Sequence, residues 1–127
     1  MSSKRPFPLP PRKVELVYIA GPYWHELPAR RQVHVESAKL HALLVAELGL
    51  VPVTPHLNTA RFETLSGLPE SFFLQADEKI LLRCDAVLLL PGSYKSNGTQ
   101  TEIRLAKSRG IPIFENLEAL RHHVQSV

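Results

Sequence analysis

The sequence is poor in anything that would staple or anchor it. A single cysteine, Cys84, rules out any disulfide within the chain. No apolar run approaches the ~20 residues that a helix needs to cross a bilayer, so no membrane association is expected. The amino-terminal stretch "MSSKRPFPLPPRK" has basic residues without the apolar core of a secretory signal behind them, and the expected location is cytoplasmic. HExxH, GxGxxG and GxxxxGK[ST] patterns are also missing, which weakens metalloprotease, dinucleotide and P-loop readings. The histidines His25, His34, His41, His56, His122 and His123 show no metal-ligand spacing, so no metal or redox cofactor is expected. No internal repeat is visible, and the only biased segment is the proline-rich start.

What is present is the makeup of one globular domain. At 127 residues, 44% hydrophobic and 21% charged, the chain can bury roughly two-thirds of the surface its unfolded form exposes. The pI near 9.2 is a local effect. Of 15 basic side chains, four (Lys4, Arg5, Arg12 and Lys13) lie in the first 13 residues, leaving 11 against 12 acidic ones. Residues 14–127 are therefore not basic, and nucleic acid is not the expected partner. Residues 1–13, with Pro6, Pro8, Pro10 and Pro11, are expected to be an extended or polyproline-like tail. It reads as a solvated arm or as a contact to a phosphate or a partner.

The domain proper, residues 14–127, alternates strands with helices. "VELVYIAG" (14–21) is a β-rich apolar run ended by Gly21-Pro22, a buried strand entering a loop. "ARRQVHVESAKLHALLVAELG" (29–49) sets Val33, Leu40, Leu43 and Leu44 at helical spacing and stops at Gly49. "LVPVTP" (50–55) is a second strand, and residues 56–68 a polar connection. Pro69 opens a helix through "ESFFLQADEKILLRC", as proline does at a first helical position. Then follow a strand in "DAVLLLP" (85–91), a helix in "GTQTEIRLAKSRG" (98–110), a strand in "IPIF" (111–114) and a closing helix in "NLEALRHHV". The expected fold is a doubly wound α/β three-layer sandwich with a mostly parallel sheet, Rossmann-like or flavodoxin-like. In such folds ligands sit at the carboxyl ends of the strands, so "AGPYWHE" and "PGSYKSNGT" are expected to border one crevice.

Two carboxylates in or near that crevice need an explanation. Glu102 fits a capping box with Thr99, in which both side chains satisfy free backbone donors at a helix start. The same place favours anions, which would lower its pKa and keep it ionised as a usable nucleophile. Ser93, Ser96, Asn97, Gly98 and Thr99 leave room for a ligand and offer it hydroxyl and amide donors. Asp77 has Phe73, Leu74, Ile80 and Leu81 as its helical neighbours, an apolar setting that is costly for a charge. Unpaired burial would raise its pKa and suit it to proton donation; bonding a backbone group is the alternative. Asp85 directly precedes a strand and reads as a cap or turn residue. Tyr18, near the end of the first strand, could send its hydroxyl into the crevice or serve only as packing. Gly21, Pro22, Tyr23 and Trp24 form the loop beyond it, where the two aromatic rings could cover a flat ligand or the core. Arg30 and Arg31 could meet a phosphate or form a solvated face. Cys84 reads as core.

Taken in order, "VYIAGPY", "QADEKILLRCDAVLLLPG" and "SNGTQTEIRLAKSRGIPIF" resemble the nucleoside 2-deoxyribosyltransferases and the related 2′-deoxynucleoside 5′-phosphate N-hydrolases, over about residues 14–115. The resemblance implies Glu102 as nucleophile, Tyr18 as the residue that orients it and Asp77 as the acid near the departing base. It further implies a nucleoside or nucleotide substrate, contacts from Gly21, Pro22, Tyr23, Ser93, Ser96, Asn97 and Gly98, no cofactor, and a homo-oligomer. Six residues ahead of Glu102 the transferases carry an aspartate, whereas this chain has Ser96, as the nucleotide hydrolases tend to. The loop "GPYWHELPARR" lacks the glycine-rich, basic form of those hydrolases. A nucleotide-binding or sensing module of the same fold, without turnover, is the alternative from another functional class.

Overall fold

The computed structural model describes residues 13–23, 25–58 and 67–126. The polar connection at 59–66, Trp24 and nearly all of the proline-rich tail lie outside the described residues. Four parallel strands, β1 (Leu16–Ala20), β2 (Val51–Val53), β3 (Ala86–Leu89) and β4 (Ile113–Phe114), form one sheet in the order β2-β1-β3-β4. This is the flavodoxin type of order, with β1 and β3 paired at the centre from Val17 against Ala86 to Ala20 against Leu89. The helices are α1 (Pro28–Glu47), a single turn α2 (Pro55–Asn58), α3 (Glu70–Leu81), α4 (Asn97–Ser108) and α5 (Leu117–Gln125). No helix among the described residues is long and apolar enough to cross a membrane.

Alternation along the strands creates the three layers. Val17 and Ile19 point to one face, where they pack with Ala38 and Val45 of α1 and Leu120 of α5. Tyr18 and Ala20 point to the other, packing with Leu81 at the end of α3 and Ala106 of α4. Asp85 is buried, and its Oδ2 accepts the backbone N–H groups of Glu15 (3.0 Å) and Leu16 (2.8 Å), tying β3's approach to the start of β1. Cys84 is buried in the Tyr18 layer. Gly49 and Gly110 follow the ends of α1 and α4 at φ +85° and +70°.

Three local expectations change. Pro69 is the extended residue before α3, one position ahead of its first turn. The strand expected at 50–55 shortens to 51–53, and residues 55–58, reaching from its expected end into the polar connection, make a helical turn. Val33, Leu40 and Leu43, which give α1 its helical spacing, are more than half exposed, because the sheet covers the face that carries Ala38 and Val45.

Candidate active site

Because β1 and β3 are neighbours whose connections leave toward opposite faces, a crevice opens beyond their carboxyl ends. A cavity of about 860 Å³ occupies it. Gly21, Pro22 and Tyr23 line it from the loop after β1; Pro91, Gly92 and Lys95 from the loop after β3; and Ser96, Asn97, Gly98, Thr99 and Glu102 from the start of α4. The two loops that the sequence assigns to one crevice do share it. Gly21 can approach β3's exit only because it has no side chain: a Cβ there would lie 2.6 Å from the Cβ of Leu90.

The sheet brings three of the predicted groups together. Tyr18 faces the layer of α3 and α4, is fully buried, and its hydroxyl donates a hydrogen bond to Oε2 of Glu102. Asp77 comes from α3, a turn beyond the cavity-lining Phe73 and Leu74, close enough for its charge to act on both Tyr18 and Glu102. Its Oδ1 is buried with no hydrogen-bond partner among the described residues. Burial raises its pKa to about 6. Burial likewise raises Glu102 to about 7; the Tyr18 hydrogen bond lowers it in part, while the charges of Asp77 and Glu78 add to the rise. The Tyr18 phenol is pushed well above its ordinary range by burial and by the neighbouring Glu102 and Asp77 charges.

Two expectations about Glu102 are corrected by this geometry. The cap of α4 is Ser96, whose hydroxyl accepts the Thr99 N–H at 3.3 Å, so Thr99 lies inside the helix and no Thr99–Glu102 capping box forms. Nor is the Glu102 pKa lowered. It lies beyond the first turn, where the helix dipole fades, and desolvation dominates. Ser93, expected at the ligand, is the buried first residue of the turn at 93–95 and does not line the cavity.

The cavity also has walls that the sequence reading leaves out. His25, His34, Glu70, Phe73 and Leu74 line it, on the approach to α1, within α1, and along α3. His34 Nδ1 lies 2.9 Å from the carbonyl of Tyr23, which can only accept; Nδ1 therefore carries the proton and holds the loop after β1 to the helix. The available signal was positional, since a helix that follows β1 starts beside that strand's carboxyl end. Thr99 is 1% exposed, and its Oγ1 has no hydrogen-bond partner among the described residues. Among the described residues no group of three or more metal-ligating side chains occurs.

Residues 15–116 match the model of a family described as a domain of unknown function, DUF7768. The chain belongs to the DUF7768 family. Among solved structures, this DUF7768 domain is similar to the 2-deoxyribosyltransferase of the psychrotolerant bacterium Bacillus psychrosaccharolyticus, at 21% identity and a TM-score of 0.54, over 77% of this chain and 69% of that one. It is also similar to a conserved protein from Enterococcus faecalis V583, at 22% identity and a TM-score of 0.57, over 80% of this chain and 62% of that one. The DUF7768 chain thus has the fold of a 2-deoxyribosyltransferase. No curated protein matches its sequence.

Proposed function

We propose that this DUF7768 protein cleaves the N-glycosidic bond of a nucleoside or nucleoside 5′-monophosphate, with Glu102 as nucleophile. The observation that carries the reading is Glu102 at the cavity wall with Tyr18 and Asp77 buried behind it: the tyrosine hydroxyl holds the carboxylate, and Asp77, whose Oδ1 has no hydrogen-bond partner among the described residues, acts on both through its charge. Breaking the bond develops positive charge at the anomeric carbon and negative charge on the base. Glu102 in its ionised form attacks C1′ as the C1′–N bond breaks, and the bonding pair leaves with the base. Asp77 in its neutral form supplies the proton that the base needs to depart. An acceptor, water or a second base, then attacks C1′, returns a proton to Asp77 and releases Glu102. Tyr18 keeps the attacking oxygen in line.

Between about 6 and 7 the two carboxyl groups together hold one proton, which rests mainly on Glu102, the group with the higher pKa; the first step draws on the minor state in which that proton sits on Asp77. The start of α4 supports the 5′-monophosphate over the free nucleoside: Lys95, Ser96 and the Thr99 hydroxyl, which has no partner among the described residues, gather there at the positive end of a helix. Phe73 and Leu74 offer an apolar wall suited to a base.

The test is to incubate the protein with a panel of nucleosides and 5′-monophosphates, with and without a competing free base, and to follow liberated and exchanged bases by chromatography. Wild type is expected to release or exchange a base. Glu102→Gln is expected to lose that activity by about 1000-fold or more while still binding the nucleotide. If wild type acts on no member of the panel but binds nucleotides, the non-catalytic binding module replaces this reading.

A further inference from the structure

Helix α1 has two apolar faces, and the sheet covers one of them. Ala38 and Val45 are fully buried against it. On the opposite side Val33, Leu40 and Leu43 are 56%, 55% and 59% exposed. Together with Ala29, Glu36 and Glu47, also exposed, these residues recur along α1 in alternating steps of four and three. That alternation keeps side chains on one seam of a helix, as at the a and d positions of a coiled coil. Scattered apolar residues at a surface need no explanation, but an aligned apolar seam marks an interaction face.

We propose that this seam is a homodimer interface, in which α1 of one copy packs antiparallel against α1 of a second copy. The seam is symmetric about residue 38: Val33 mirrors Leu43, Glu36 mirrors Leu40, and Ala29 mirrors Glu47. A two-fold axis at that point sets Val33 on the partner's Leu43 and Leu40 beside the partner's Glu36, so one patch serves both subunits. Charge favours the same orientation. Glu36 and Lys39 form an exposed pair 3.3 Å apart within one copy, and the antiparallel arrangement brings Glu36 toward the partner's Lys39. A parallel arrangement would instead stack Glu36 on the partner's Glu36 and Glu47 on the partner's Glu47, two like-charge contacts within the seam. The 20 residues of α1 give a contact up to ~30 Å long. The argument uses none of the groups assigned to catalysis and stands apart from the proposed reaction.

The test is sedimentation velocity of the full chain across the micromolar range, with wild type and Leu40→Glu. Wild type is expected to sediment as a dimer. Leu40→Glu is expected to weaken self-association about a hundredfold, since each subunit loses one buried leucine, with helix content unchanged because Leu40 faces solvent in the monomer, and with a melting temperature that no longer rises with protein concentration. Orientation is read by oxidative cross-linking: a mixture of Ala29→Cys and Glu47→Cys should cross-link faster than either variant alone. A monomeric wild type, a dimer that survives Leu40→Glu, or self-cross-linking of Ala29→Cys that matches the mixture would each overturn the proposal.

Discussion

At the scale of single residues, Glu102 is held where its charge is expensive. Its pKa rises from 4.5 to about 7 on folding, chiefly through burial. The folded state therefore holds this proton more tightly than the unfolded state does. The associated stability is fully present below about pH 4.5 and is lost as pH rises through about 7, amounting to on the order of 3 kcal/mol. Glutamine removes the charge and keeps an acceptor for the Tyr18 hydroxyl. Glu102→Gln should therefore be more stable than wild type at about pH 8, by on the order of 3 kcal/mol, with the gap closing toward about pH 4. Denaturant melts of both proteins across that range check this; a gap that does not vary with pH would contradict the burial of an ionisable Glu102. The sequence already isolates Asp77 through its apolar helical neighbours. It does not reveal the sign of the Glu102 shift, because proximity to a helix start is a local signal and burial under α3 is not.

At the scale of elements, the strands were legible because each is a short apolar run between breakers. The ends are shorter than the runs, and β4 keeps only Ile113 and Phe114 in register with β3. The orientation of α1 was not legible, since apolar residues lie on more than one of its faces and only the sheet's position selects Ala38 and Val45. The junction of β1 and β3 is the tightest point near the site. Gly21→Ala would drive a methyl group to 2.6 Å from Leu90 Cβ, which sits against the backbone and cannot swing away. The expected loss is about 1–3 kcal/mol of stability, read as a lower denaturation midpoint with unchanged slope. An unshifted midpoint would show that the two loops do not meet as closely as described.

At the scale of the whole molecule, the order of strands and helices in the sequence is enough to imply a parallel sheet and a crevice after β1 and β3, and Gly21, Pro22, Tyr23 and the start of α4 do meet there. The walls supplied by α1 and α3 depend on how the helices sit over the sheet, which no linear spacing records; His34 and Glu70 were missed for that reason. The account rests on Glu102 forming a covalent bond to the sugar. A 2′-fluoro nucleotide analogue, whose electron-poor sugar slows turnover of a glycosyl-enzyme, allows that bond to be caught. After incubation, peptide mass spectrometry should find one fluorosugar ester on the peptide that contains Glu102, with the base released in equal amount and no adduct on Glu102→Gln. Base release without an adduct on Glu102, or an adduct on another residue, would contradict the account.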